Sequence, residues 1–376
     1  MNFRNCFVAA GWLMAAAAGL AQESPPPTPT PVPTEPPSAP SPTPAPGTAG
    51  GAVNPTFFNP AIAVIGNFLA TAGHNPVDDQ PSFQVKETEI SFQAVVDPYA
   101  KADVFVSISN EGVELEEGYV TFLHLPYDLL VKAGKFKAQF GKINTLHAHV
   151  LPWADEPLPL ANLLGSEEGW NDSGLSVARL IELPGDTFSE LTGQVFRGDV
   201  EGLFAAPDRG KLAWLGQYRV YRDLGDDHNL EAGVSYGQGF NGTTADAKTS
   251  LQNAHLVYRW KPLQGRPYRS FILRSEFFRS FRQQEGPSQI ATGYYVSGDY
   301  QLTRRWFVGG RYEWAGHGDD AARHDRGEAV TLTFWPSEFS QVRGEFRQRR
   351  YAGGITANEG ILQLQYAIGA HGAHPF

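Results

Sequence analysis

Residues 131–176 read VKAGKFKAQFGKINTLHAHVLPWADEPLPLANLLGSEEGWNDSGLS. The beginning of this stretch alternates as a β-strand does, with Phe136 on one face and Lys137 on the other. A long segment without a regular period follows, and alternation returns near Leu175. A structureless insert of this length inside a regular β pattern is usually functional. Residues 141–172 are therefore the first candidate for a functional segment.

The rest of the chain repeats alternating segments, each about ten residues long, from about residue 58 to residue 370. Connections after even-numbered segments are short, such as 97–99 and 336–337, whereas most connections after odd-numbered segments are longer. An even-stranded membrane barrel with short turns at one rim and long loops at the other has this asymmetry. The pattern predicts an all-β fold, a closed transmembrane antiparallel β-barrel of about sixteen strands.

Composition excludes several other classes of protein. The net charge of −10 argues against nucleic acid as a partner. The single cysteine, Cys6, lies in the N-terminal segment, so a disulfide scaffold is excluded. The sequence has no P-loop, no glycine-rich dinucleotide turn and no paired-histidine zinc motif.

The N-terminus has the form of an export signal. Arg4 precedes an apolar run from Cys6 to Leu20, and small residues suited to cleavage follow. We expect residues 1–21 to be a signal peptide and residues 22–51 to be a Pro-rich disordered linker in an extended polyproline II conformation. Residues 52–376 are then the outer-membrane β-barrel domain.

The fifth predicted strand, LVKAGKFKAQFGKIN at residues 130–144, resembles a strand of the phosphate-selective porin family. In that family a strand of the form G-x-F/Y-K-x-x-F-G precedes a long loop. The resemblance implies a bacterial outer-membrane porin with a sixteen-stranded barrel, a third external loop folded into the lumen, and a homotrimeric assembly. The candidate segment 141–172 occupies the position of that third loop. No ladder of lysine and arginine supports carrying over phosphate selectivity.

Charged residues of the loop and of the strands are the candidates for the lining of a pore constriction. They are His147, His149, Asp155, Glu156, Glu167 and Glu168 in the loop, with Arg311, Arg343 and Arg347 on later strands. Other charged residues expected to face the lumen are Glu87, Glu89, Lys101, Asp103, Lys135, Lys137, Arg274, Glu276, Glu313, Glu345 and Arg349. Rings of charged side chains at a narrow point set the ion selectivity of a channel.

A metal site is an alternative interpretation of the loop. His147 and His149 are two residues apart and point the same way in an extended backbone, so that with Asp155 they could bind zinc. No ligand motif of fixed spacing is present, which favours a hydrogen-bonded loop whose charges shape the pore.

The sequence as a whole predicts a passive outer-membrane channel for small hydrophilic solutes or ions, in contact with lipid and without a cofactor. The alternative is an outer-membrane protein that binds or transports a divalent metal such as zinc. An enzyme built on His147 with Asp155, or on His255 with a serine, and an adhesin are weaker alternatives, because no local motif supports them. We expect no enzymatic activity.

Overall fold

A computed structural model of the chain describes residues 60–165, 168–262 and 268–369. Within these residues the chain forms sixteen β-strands. They are Ala61–His74 (β1), Phe83–Asp97 (β2), Ala100–Ser109 (β3), Gly112–Leu125 (β4), Leu129–Lys137 (β5), Asn171–Leu183 (β6), Thr187–Phe196 (β7), Ala213–Asp223 (β8), His228–Phe240 (β9), Lys248–Trp260 (β10), Phe271–Arg282 (β11), Gln289–Gln301 (β12), Trp306–Gly316 (β13), His324–Ser337 (β14), Ser340–Arg350 (β15) and Thr356–Gly369 (β16). Each strand pairs antiparallel with its neighbours in sequence, and β1 pairs with β16. The predicted closed barrel is confirmed.

Segments N-terminal to the barrel remain predictions. The signal peptide at 1–21 and the Pro-rich linker at 22–51 lie outside the described residues. Of the predicted barrel domain, 52–376, the first strand begins at Ala61. Among the described residues, no helix is both long and apolar enough to cross a membrane.

The alternation of side chains gives the barrel an apolar outside and a polar inside. Val234, Leu256 and Leu364 lie on the outer face, with exposed fractions of 56%, 40% and 46%. Side chains at the alternate positions point the other way: Ser235, next to Val234 on β9, is buried inside the barrel. Closure leaves no sheet edge with unpaired backbone groups, and the outer side chains suit hydrocarbon. The chain is therefore a β-barrel of the outer-membrane type.

The two rims of the barrel carry different connections. At one rim, the short-turn rim, neighbouring strands are joined by segments such as 98–99 and 184–186. The connections at the other, long-loop rim include 138–170, between β5 and β6, and 197–212, between β7 and β8. Both the first residue of β1 and the last residue of β16 lie at the short-turn rim.

The connection 138–170, which we call the inner loop, folds into the barrel. It contains two turns of 3₁₀ helix, at 143–145 and 148–150, and one short α-helix, α1, at Leu158–Leu164. Its apolar side chains pack with lumen-facing side chains of the strands into one buried cluster. The cluster includes Trp153, Leu160, Leu163, Leu164 and Trp170 of the inner loop and Phe196, Leu215, Leu251, Phe278 and Tyr295 of the strands. The apolar core of the protein therefore lies inside the barrel.

Gly141 makes the turn from β5 into the lumen possible. Its φ is +69°, a left-handed conformation that residues with a Cβ rarely adopt. A Cβ at this position would also lie 2.2 Å from a carboxylate oxygen of Glu276 on β11. The glycine lets the backbone approach the wall closely enough for that carboxylate to bind it.

Strand β5 differs from the prediction in both length and orientation. It ends at Lys137 rather than near Phe140. The side chain of Phe136 is completely buried and packs against Phe196, with ring centroids 5.2 Å apart. Lys135, which we expected in the lumen, pairs in register with Ser173 on the exposed face of β6. The reason is that the apolar cluster occupies this part of the lumen, so Phe136 turns inward to join it.

A charged side chain on the outer face should destabilise the folded barrel. Replacing Leu256 with arginine should cost about 2–4 kcal/mol of folding free energy near the middle of the bilayer, because the guanidinium would lie in hydrocarbon. Leu256→Met at the same position should cost less than about 1.5 kcal/mol. Folding titrations of the two variants in lipid vesicles measure the difference. Equal stabilities would contradict the assigned facing of β10.

Candidate functional site

Three glutamates on the wall bind the backbone of the inner loop. Glu276 accepts hydrogen bonds from the backbone N–H of Ile143 at 2.7 Å and of Lys142 at 3.1 Å. On β13 and β15, two more glutamates accept hydrogen bonds from backbone N–H groups of the inner loop. These bonds are Ala154 to Glu345 at 2.9 Å and Leu158 to Glu313 at 3.0 Å. Each satisfies a buried donor that would otherwise be unpaired, which is costly.

Asp155 lies among arginines of β13 and β15. One carboxylate oxygen accepts from Arg311 at 2.8 Å, and the other accepts from Arg347 at 2.7 Å and from Arg349. Burial alone would raise the pKa of Asp155, but the three guanidinium groups hold it well below its usual range. Asp155 is therefore ionised at neutral pH and holds the middle of the inner loop against this part of the wall.

Arg311 and Arg343 make further contacts with the same part of the inner loop. The guanidinium group of Arg311 lies 4.7 Å from the ring centroid of Trp153, a cation–π distance. Arg343 donates to the carbonyl of Leu151 at 3.1 Å and to the side chain of Gln363 at 2.7 Å. The predicted constriction residues Arg311, Arg343 and Arg347 thus all face the lumen, and each of them contacts the inner loop directly.

His147 lies against a second part of the wall, which is acidic. Its Nδ1 is 2.6 Å from Glu89 of β2, and its Nε2 is 3.1 Å from Glu117 of β4. Glu116 is also near, with a carboxylate oxygen 3.4 Å from Nδ1. Burial lowers the pKa of His147, but the hydrogen bonds and charges of these glutamates offset that effect and hold it well above its usual value.

His149 contacts the same acidic wall and completes this group. Its Nδ1 is 3.2 Å from Glu87 and 3.6 Å from Glu89. The rings of His147 and His149 are 5.7 Å apart in an edge-on arrangement. One ligand atom each from Glu89, His147 and His149 lies within 4.8 Å of the others. The two histidines thus point the same way, as expected from their spacing.

The third ligand expected in a metal site differs from the residue found beside the histidines. Asp155 was expected there, but both of its carboxylate oxygens bind arginines, and Glu89 stands next to the histidines instead. For the same reason His147 and Asp155 do not form the pair that an enzyme would need. The 3₁₀ turn at 148–150 and the irregular segment that follows it carry the chain from one part of the wall to another.

The remaining predicted loop carboxylates have separate surroundings. Glu156 lies 3.9 Å from Lys86, at ion-pair distance. Glu168 accepts a hydrogen bond from Asn171 at 3.1 Å, and burial raises the pKa of its carboxyl. Glu167 lies outside the described residues, so its expected role in the constriction stays a prediction.

The sequence patterns did not indicate Glu116 and Glu117 as candidate residues of the site. The register of β4 shifts between Leu115 and Glu117, where Phe105 and Val106 of β3 oppose three residues. This β-bulge brings two successive glutamates, Glu116 and Glu117, to positions near His147, where strict alternation would have turned one of them outward. The sequence did contain one signal for them: a run of acidic residues within a strand whose outer face lies against hydrocarbon.

The inner loop therefore touches three arcs of the wall and crosses the lumen. Besides the basic arc on β13 and β15 and the acidic arc on β2 and β4, it contacts β9 through Lys142, whose Nζ is 2.9 Å from Glu231. The charges of the loop and of the wall are opposite at each contact: aspartate meets arginine, and histidine and lysine meet glutamate. This complementarity fixes the loop within the barrel.

No protein-family model matches the chain, so membership of the phosphate-selective porin family is not confirmed. An uncharacterized protein of Aquifex aeolicus (strain VF5) is 28% identical over 345 residues, which cover 81% of this chain and 72% of that protein. The anion-selective porin from Comamonas acidovorans is a similar solved structure, with a TM-score of 0.57 at 8% identity over 82% of this chain and 99% of that chain. OmpT, an outer membrane protein of Vibrio cholerae, in a trimer form, has a TM-score of 0.53 at 11% identity over 82% of this chain and 100% of that chain. The chain thus shares the barrel fold of outer-membrane porins.

Removing the charge of Asp155 should loosen the inner loop. Asp155→Asn leaves buried guanidinium groups without their shared carboxylate, and breaking a buried ion pair in this way costs about 3–5 kcal/mol. We expect faster hydrogen exchange at the amides of Ala154 and Leu158, measured by mass spectrometry of the folded barrel. Asp319→Asn, at an exposed position of the β13–β14 connection, is the matched control.

The effect of Asp155→Asn should depend on pH in a defined direction. Because the pKa of Asp155 is lowered in the fold, its contribution is present above the ordinary aspartate pKa and is lost as the pH falls through the folded value. The difference in protection between Asp155→Asn and the parent should therefore shrink in acid. A difference that grows on acidification would contradict the ion-pair account.

Proposed function

We propose that the protein is a passive, water-filled channel of the bacterial outer membrane for small hydrophilic solutes or ions, narrowed by the inner loop. The observation that carries this proposal is the inner loop bound inside a closed sixteen-stranded barrel. A barrel with this number of strands is too wide for its own side chains to fill, so an aqueous lumen remains around the inserted loop. The shared fold with the outer-membrane porins supports the same function.

An open vestibule at the short-turn rim supports an aqueous route. The cavity there has a volume of about 940 Å³. Charged and polar side chains that line it include Tyr221, Asp223, Arg259, Lys261, Ser270 and Gln301. Both signs of charge are represented, beside apolar side chains such as Ile272 and Phe307, and charged linings of this kind occur in passages for hydrated solutes.

The remaining parts of the proposal concern location, assembly and chemistry. We place the short-turn rim in the periplasm and the long-loop rim outside, with residues 1–21 as a cleaved signal and 22–51 as a periplasmic tether. Assembly as a homotrimer is supported by the solved neighbour in trimer form. The partners are membrane lipid on the outer face and small solutes or ions within. Neither catalysis nor adhesion is part of the proposal, since His147 and Asp155 bind different parts of the wall.

Removing the inner loop should widen the channel. Replacing residues 150–168 with a short glycine–serine linker deletes α1 and Trp153, which occupy the lumen, and should raise single-channel conductance in planar bilayers. The same replacement at residues 242–246, an exposed part of the β9–β10 connection, is the control and should leave conductance unchanged. A parent protein with no conductance at all would refute the channel function.

Charge at the basic arc should set ion selectivity. Asp155→Asn removes one negative charge beside Arg311 and Arg347, so the reversal potential in a salt gradient should shift toward anions. Arg347→Gln should shift it toward cations. Asp79→Asn, exposed on the β1–β2 connection, is the control and should cause no shift. Shifts of equal sign in the first two variants would contradict a constriction at this arc.

A further inference from the structure

The acidic arc and the two histidines have the geometry of a metal site. Glu89 is the centre of this group, since one of its carboxylate oxygens is 2.6 Å from His147 Nδ1 and 3.6 Å from His149 Nδ1. Zinc bound tetrahedrally at about 2.0–2.1 Å from each ligand requires its ligand atoms to be about 3.3 Å apart. The distances from Glu89 to the two histidines differ from that spacing by less than about an ångström, and imidazole with carboxylate is a donor set that zinc accepts.

A second observation concerns a buried carboxylate beside the two histidines. One carboxylate oxygen of Glu116 is buried and has no hydrogen-bond partner among the described residues. The same oxygen lies 3.4 Å from His147 Nδ1, so it faces the group rather than the lipid. A buried carboxylate oxygen without a hydrogen-bond donor is costly, and a metal ion at this point would coordinate it.

The balance of charge in the group agrees with this reading. Four carboxylates surround the two histidines, from Glu87, Glu89, Glu116 and Glu117. Lys137 pairs with one of them, at 3.3 Å from Glu116. The four negative charges exceed the positive charge that one lysine and two histidines can supply. A divalent ion bound beside Glu89 would place two positive charges among these carboxylates.

We propose that Glu89, His147 and His149 bind one divalent transition-metal ion of the zinc class, with Glu116 or Glu117 as a further ligand. The ion joins the first half of the inner loop to β2 and β4, on a different part of the wall from the Asp155 contacts. This step rests on the proposed channel function: occupancy of the site reduces permeation, because the bound ion locks the inner loop onto the acidic arc inside the lumen. Zinc outside the cell would then regulate permeation through the protein.

The binding test uses the folded, tag-free barrel in detergent, titrated with zinc chloride by calorimetry. We expect one zinc ion per barrel for the parent and for His317→Ala. That control removes a histidine paired with Asp325 at 2.9 Å, far along the chain from the site. His147→Ala with His149→Ala should abolish binding, and Glu89→Gln should weaken it. If the double variant does not fold, so that the heat-modifiable band of the folded barrel is absent on a gel, zinc binding by the conservative Glu89→Gln variant decides whether the site exists. A parent that binds no zinc, or variants that bind it as the parent does, would overturn the site.

The regulatory test is separate from the binding test. Micromolar zinc should reduce the bilayer current of the parent and of His317→Ala, but not that of His147→Ala with His149→Ala. Zinc binding without any change in current would refute the regulatory role while leaving the site intact. Zinc binding by a protein that never conducts would refute the channel function and not the metal site. Conductance by a protein that does not bind zinc would refute the metal site and not the channel function.

Discussion

The requirement that no backbone N–H or C=O group be left unpaired in hydrocarbon governs the whole structure. A sheet meets it only by closing on itself, and here the closure is the register between β1 and β16, from Ala63 opposite Gly369 to His74 opposite Asn358. With sixteen strands the closed sheet surrounds more space than its own lumen-facing side chains can fill. The inner loop, its apolar cluster and the charged arcs all follow from the need to occupy that space.

Filling a polar lumen with an irregular loop raises a second problem, since the loop brings in backbone donors that lose contact with water. The wall solves it with carboxylates placed at loop height. Glu276, Glu313 and Glu345 accept backbone N–H groups, and Arg343 donates to a backbone carbonyl. Side-chain contacts such as those of Asp155 and His147 then fix the direction in which the loop crosses. The charged side chains of the wall therefore serve first to bind the loop. Those at the edges of the loop can still interact with passing solutes.

Much of the fold could be predicted from the sequence, because strand alternation and connection lengths are local signals that membrane closure turns into a topology. The facing of Val234, Leu256 and Leu364 followed directly from the alternation. The facing of β5 did not, since Phe136 is apolar but lies inside, where the loop provides an apolar surface that no strand pattern reveals. The partners of Asp155 were beyond sequence reasoning, because they depend on contacts between distant segments. The bulge at Glu116 lies within one hairpin, but strict alternation does not predict a shift of register. The candidate residues were identified, whereas their grouping needed the three-dimensional structure.

The contacts that hold the inner loop have a consequence for how the protein folds. Ala154 and Glu345 are 191 residues apart in the chain, and His149 and Gln365, which also bond, are 216 apart. These partners come together only when the last strands have joined the first. The loop therefore lacks its stabilising contacts in a partly assembled barrel. We expect loop docking to be the final step of maturation, after closure of β1 on β16. During assembly the chain would then pass through a closed but still wide intermediate, in which the lumen is wet and the permeability is that of an unconstricted pore.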